Sequence, residues 1–207
     1  MSPKTEFTNS ELPIMEDFYT LQGEGFYAGR SAYFIRLAGC DIGCHWCDVK
    51  ESWDKEKHPL VLVSTLVQRV LKSGTNFVVI TGGEPAMYDL TNLTTALKEI
   101  GIEIAMETSG AYSIKGIIDW VCLSPKKFKM PLDENYQKAD ELKMIIFNQH
   151  DLKWAEDLKQ KVQKDCKLYL QPEWDKSAEV LPMMIDYVKR NTEWTLSLQT
   201  HKYLNIP

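Results

Sequence analysis

The sequence has no excess of positive charge, no apolar run long enough to cross a membrane and no even set of cysteines. Its 24 lysines and arginines are outnumbered by 29 aspartates and glutamates, a formal charge of -5. It therefore offers no general attraction to phosphate backbones, and nucleic acid is not an expected partner. The longest apolar stretches, such as FVVI (77–80) and MIIF (144–147), have the length of strands, and the opening MSPKTEFTNSELPIMEDFYT has no basic segment leading into an apolar run. A soluble, cytoplasmic chain with no membrane partner is expected. Five cysteines cannot all pair, and Cys122 and Cys166 each sit inside an apolar, strand-like stretch. They read as buried, inert thiols and not as a disulfide framework. Repeats, low-complexity tracts and linkers are missing too, so the chain reads as one domain, residues 1–207, built on one core.

What is present is an alternation. Strand-like runs stand at 32–37 (AYFIRL), 77–80 (FVVI), 103–106 (EIAM), 120–123 (WVCL), 143–147 (KMIIF), 168–170 (LYL) and 195–198 (TLSL). Between several of them apolar residues recur at helical spacing: Val63, Leu66, Val67 and Val70; Leu90, Leu93 and Leu97; Ala155, Leu158 and Val162; Leu181, Met184 and Val188. Such alternation predicts an α/β fold with a mostly parallel sheet and helices outside it. Six of the runs are followed by polar segments bearing glycine or proline or a charged group: AGCDIGCHWC, TGGEP, ETSG, SPK, QPEWD and QTHK. In parallel architectures the carboxyl ends of strands gather at one rim, so these segments are expected to surround one site. A full eight-unit barrel takes about 250 residues, so an open, partial (β/α) barrel is expected. Trp53 and Trp174 are candidates for a lid or contact surface, and KFKMPLDENY (127–136) reads as a solvated loop.

Cys40, Cys44 and Cys47 fall within eight residues. A structural zinc site would need a fourth ligand, for which His45 is the local candidate and His58, His150 and His201 the distant ones. Closed zinc sites usually draw their ligands as two separated pairs. A 4Fe-4S cluster held by three cysteines instead leaves one iron open to a small molecule, and the tight spacing favours this reading.

The CDIGCHWC loop, with Trp46 before its last cysteine, resembles the signature of the radical S-adenosylmethionine (SAM) superfamily, and TGGEP (81–85) resembles that superfamily's glycine-rich SAM motif. Glycines there permit close backbone approach, and an acid such as Glu84 accepts from an ammonium. Within the superfamily, FYTLQGEG (18–25), ETSG (107–110), SPK (124–126) and the closing QTHKYLNIP resemble the 7-carboxy-7-deazaguanine synthases, from Phe18 to Pro207. That resemblance implies an open partial barrel of radical SAM type, shorter than a full TIM barrel. It also implies a 4Fe-4S cluster on Cys40, Cys44 and Cys47, with SAM chelating the open iron and touching Glu84, Gly110, Ser124, Pro125, Lys126 and Gln171. The substrate implied is 6-carboxy-5,6,7,8-tetrahydropterin, set against Leu21, Gln22, Gly23, Glu24, Arg36, Thr108, His201 and the terminal carboxylate of Pro207. Arg36 has the fork that matches a carboxylate, and Gln22 and Glu24 suit the donor and acceptor edge of a pterin. The implied reaction is hydrogen abstraction, ring contraction and loss of ammonia, with SAM regenerated. A flavodoxin or ferredoxin as electron donor and a homodimer are implied as well.

One position departs from the family. A hydroxyl-bearing residue that binds magnesium commonly stands two places after the third cysteine, where this chain has Val49. Valine offers no ligand oxygen. Magnesium is then absent, held without a protein side chain, or moved to a neighbour such as Asp48, and turnover is expected to depend on it less. Two other readings of the chain are a glycyl-radical activase, which shares the cysteine spacing, and a zinc-stabilised binding module without catalysis.

Overall fold

The seven strand signals all become strands, and two further strands join them. The computed structural model describes residues 10–207. Its strands are β1 (Glu11–Leu21), β2 (Ser31–Leu37), β3 (Leu60–Leu62), β4 (Phe77–Gly82), β5 (Glu103–Thr108), β6 (Trp120–Leu123), β7 (Glu141–Ile146), β8 (Lys167–Pro172) and β9 (Trp194–Leu196). Its α-helices are α1 (Val63–Ser73), α2 (Thr91–Glu99), α3 (Asp133–Lys138), α4 (Gln149–Lys159), α5 (Ser177–Arg190) and α6 (Thr200–Leu204). The strands form one sheet in the order β3-β1-β2-β4-β5-β6-β7-β8-β9. Every neighbouring pair from β2 to β9 is parallel, whereas β1 runs antiparallel to both β2 and β3. With β3 and β9 at opposite edges the sheet stays open, as the sequence predicts.

β1 escapes periodicity because its register shifts between Ile14 and Glu16, which breaks the alternation of inward and outward residues. The helices follow their apolar spacing closely. α1 buries Val63, Leu66 and Val70 and stops at Gly74, whose φ of 74° is left-handed. α4 opens with a capping box in which Asn148 and Asp151 satisfy each other's backbone donors. On α5 the buried residues are Val180 and Met184, so the face is turned by one position from the expected Leu181. The 127–136 segment is not a solvated loop throughout. Its second half enters α3, where Asn135 and Tyr136 are buried and the Asn135 amide donates to the carbonyls of Gly110 (2.8 Å) and Tyr112 (2.6 Å).

Two apolar clusters cover the outer face of the sheet. Tyr33, Ile35, Val78, Ile80, Ile104 and Met106 pack under α1 and α2, while Leu142, Met144, Leu170 and Trp194 pack under α3, α4 and α5. Alternate residues of the same strands point inward. Ala32, Phe34, Phe77, Val79 and Ala105 form an apolar floor with Phe18, Tyr27 and Trp120. One step nearer the carboxyl ends the inward residues become Arg36, Thr81, Glu107 and Lys143, so the inner face turns from apolar to charged where the site begins.

Candidate functional site

A cavity of about 490 Å³ opens at the carboxyl ends of the parallel strands, within the range of about 300–1,000 Å³ usual for small-molecule sites. All the predicted site residues line it except Gly110 and Pro125. Gly110 stands behind the wall at φ 76°, where a side chain would run into Leu123 and Pro131. Trp53 and Trp174 line the cavity as well.

The cysteine loop leaves β2 and is held at its base by backbone bonds. Gly39 N donates to Ser52 O (2.6 Å), Cys40 N to Trp53 O (3.2 Å) and Glu84 N to Gly39 O (2.9 Å). A side chain at Gly82 would meet the Leu37 backbone, and one at Gly83 would meet the Gly39 carbonyl and Cys40. Gly82 therefore lets the end of β4 lie against the end of β2, and Gly83 lets the chain after it lie against the cysteine loop. Cys40, Cys44 and Cys47 all face the cavity, and every cysteine is free. Burial raises the Cys40 thiol and pushes Cys44 up to about 11 despite the nearby Lys126 ammonium. Loading iron onto such thiols displaces protons. His45 is exposed and packs its ring against Phe128 and Phe147 at 5.5 and 5.9 Å. Among the described residues, no three Cys, His, Asp or Glu side chains converge as ligands of a single ion. Three thiolates at the mouth of one cavity are the soft donor set of an iron-sulfur cluster, whose ligands bind separate irons. Cys122, on β6 beside Glu107 and Glu141, and Cys166, in the outer apolar cluster, are both buried, and burial drives both thiols upward, Cys166 to about 12.

Glu84 is almost wholly buried and its carboxylate accepts four hydrogen bonds. Oε1 accepts from Ala86 N (3.0 Å) and Thr108 Oγ1 (2.5 Å), while Oε2 accepts from Ser109 N (2.8 Å) and from the Ser109 hydroxyl. A carboxylate offers about four lone-pair sites, and these four donors tie Glu84 to the end of β5. Thr108 is drawn into the same cluster, its hydroxyl also accepting from Gly110 N at 3.0 Å. Lys126 reaches back to the carbonyl (2.6 Å) and hydroxyl (2.8 Å) of Ser124 and lies 5.7 Å from the centre of the Trp46 ring. Gln171 is buried and accepts from Ser197 Oγ at 2.8 Å.

At the centre of the cavity floor lies a residue that sequence reasoning passed over. Lys143, on β7, is 2% exposed and donates to Glu24 (2.5 Å) and Glu107 (2.8 Å). Gln22 donates to the other oxygen of Glu107 (2.8 Å), and Gln199 to the other oxygen of Glu24 (2.9 Å). Burial alone would raise Glu24, but Lys143 and the amides of Gln171 and Gln199 hold its carboxyl down at about 2. The only sequence signal was a lysine at the head of the apolar run MIIF. Arg36 is tied to Glu16 of β1 through Nε at 2.7 Å and also faces the cavity.

The tail closes the remaining side. Thr200 donates its amide and its hydroxyl to the Gly23 carbonyl, each at 2.9 Å, which seats α6 on the loop after β1. The His201 ring lies where a side chain at Gly23 would be, and burial lowers its pKa. Lys202 Nζ donates to Asp48 Oδ2 at 2.9 Å, and Gln199 Nε2 approaches the same oxygen at 3.4 Å. Magnesium demands near-octahedral oxygen coordination. The Val49 side chain has no oxygen to give and its carbonyl already accepts from Ser52, Asp48 is engaged by an ammonium, and no group of three Cys, His, Asp or Glu side chains forms there among the described residues. The residues present do not fit magnesium.

Residues 34–146 match the radical SAM superfamily model. A 7-carboxy-7-deazaguanine synthase from Flavobacterium psychrophilum is 53% identical, over 95% of this chain and 93% of its own. One from Synechocystis is 47% identical, over 100% of this chain and 99% of its own. The crystal structure of QueE from Escherichia coli superimposes with a TM-score of 0.84 at 30% identity, covering 94% of this chain and 98% of that one. Neither an activase nor a zinc module accounts for relatives that match along the whole length under one name. This chain belongs to the 7-carboxy-7-deazaguanine synthase family of the radical SAM superfamily.

Proposed function

We propose that this chain, acting as a single domain, converts 6-carboxy-5,6,7,8-tetrahydropterin to 7-carboxy-7-deazaguanine by ring contraction with loss of ammonia. The observation that carries the reading is that three thiols, the Gln22, Glu24, Glu107 and Lys143 network, and Arg36, His201 and Pro207 all line one cavity.

Cys40, Cys44 and Cys47 would hold the 4Fe-4S cluster, and Ser124, Lys126 and Gln171, which line the same cavity, would hold SAM. When bound, the cluster and SAM supply a 5'-deoxyadenosyl radical that takes hydrogen from C6 of the pterin. The protein's part is to bind, orient and exclude water. Gln22 and Glu24 present a donor and an ionised acceptor side by side, matched to the amide and amino edge of a pterin. Lys143 keeps Glu24 ionised, so the acceptor stays an acceptor throughout turnover. Arg36 keeps guanidinium donors beyond the one given to Glu16 for a carboxylate. Trp53 and Trp174 line the cavity and would help to exclude water from it. Glu84 fixes Thr108 and Ser109 at the end of β5 and would present its carboxylate to the SAM ammonium.

The reading extends to a cytoplasmic homodimer served by a flavodoxin or ferredoxin. No helix among the described residues is long and apolar enough to cross a membrane. Substrate deuterated at C6 tests the radical step: deuterium should appear in SAM and 5'-deoxyadenosine, and its absence there would remove this reading.

A further inference from the structure

We propose that Lys202 is a built-in cation that stands in for a divalent metal at the corner of the cavity between the cysteine loop and the tail. The inference rests on the reading above that this cavity takes the pterin.

Four residues meet at that corner, and all of them line the cavity: Asp48, Val49, Trp174 and Lys202. Asp48 directly follows Cys47, so its carboxylate sits next to the cysteine loop and, without a counter-charge, would oppose an anionic substrate. The counter-charge comes from α6. Lys202 places Nζ 2.9 Å from Asp48 Oδ2, with its side chain only 22% exposed, and lies 4.7 Å from the centre of the Trp174 ring. The ring and the carboxylate fix the ammonium from two sides, and the Thr200 bonds to Gly23 fix the helix that carries it. A lone lysine-aspartate pair with an exposed partner adds little to fold stability, so the fold itself does not require this arrangement.

An ammonium has three donors, of which Asp48 takes one. The others serve the carboxylate of the pterin. A magnesium ion at this place would have to shed water and gather oxygens that Val49 and the paired Asp48 do not supply. The ammonium brings the same sign of charge with no coordination sphere to complete. Gln199 links this corner to the floor, because its amide reaches both Asp48 (3.4 Å) and Glu24 (2.9 Å).

The test uses the reconstituted holoenzyme, stripped with chelator and titrated anaerobically with Mn2+ while free Mn2+ is read by electron paramagnetic resonance. Turnover with and without Mg2+ is measured in parallel. Wild type should bind no stoichiometric Mn2+, and Mg2+ should change its turnover by less than about twofold. Lys202→Met should lose about tenfold or more in metal-free turnover, while Lys202→Arg, which keeps the charge, should keep most of it. The double variant V49T with K202M should bind one Mn2+ per chain and respond to Mg2+. Stoichiometric Mn2+ on wild type, strong Mg2+ stimulation, or an unimpaired Lys202→Met would each overturn the inference. If no protein makes product under any condition, the assignment of the pterin fails, and the Mn2+ titration still decides the fate of the cation.

Discussion

Lys143 and Glu24 are 119 residues apart in the chain, yet the lysine ammonium lies 2.5 Å from the glutamate carboxylate on the floor of the cavity. The same ammonium holds Glu107 at 2.8 Å. A buried cation between two carboxylates is an arrangement in which each charge is tolerated only because of the others.

Replacing Lys143 with methionine should therefore destabilise the protein by about 3–5 kcal/mol, since two carboxylates lose their shared cation. Urea denaturation of the variant measures this. A loss below about 1 kcal/mol, the scale of an exposed pair, would mean that water already solvates these groups.

The pH dependence follows from Glu24. Its carboxyl titrates at about 2 in the folded protein, against an ordinary value of 4.5. On acidification the unfolded chain takes up this proton first. The contribution of Glu24 is thus complete above the ordinary value and fades as the pH falls through the folded one. Melting temperatures recorded between pH 6 and pH 2.5 should drop less steeply for Glu24→Gln than for wild type. Parallel curves would contradict the pairing.

How much of this was legible in the sequence depends on distance along the chain. The strand cores, the helical spacing and the rim segments are local patterns, and the structure follows them. Lys143 was visible as part of a strand, but what makes it a site residue is Glu24 and Glu107, which only the folded sheet brings beside it. β1 was hidden by the register shift that breaks its alternation. Asp48 and Lys202, 154 residues apart, meet only because Thr200 docks on Gly23. Glu84 was correctly placed at the cavity, yet its four donors come from residues whose hydroxyls and amides say nothing in advance about where they point.

Gly23 is where the tail meets the substrate loop, and a methyl group there would strike the His201 ring. Gly23→Ala should raise KM for the pterin by about tenfold or more, through displacement of α6, while thermal stability changes little. Steady-state kinetics beside a melting curve separates the two effects. An unchanged KM would show that the tail does not shape the substrate side.

Gly83 touches the cysteine loop rather than the substrate. Gly83→Ala should force the loop away from β4, since the added carbon would press on the Gly39 carbonyl and Cys40. Iron and sulfide contents after anaerobic reconstitution should fall well below wild type, with circular dichroism unchanged. Full cluster loading would show that the loop has room to move.

The most direct measurement is anaerobic incubation of the reconstituted protein with SAM, a reductant and 6-carboxy-5,6,7,8-tetrahydropterin, followed by mass spectrometry of the small molecules. The account predicts 7-carboxy-7-deazaguanine in many-fold excess over the enzyme, without matching consumption of SAM. An untouched pterin alongside steady cleavage of SAM to 5'-deoxyadenosine would contradict it.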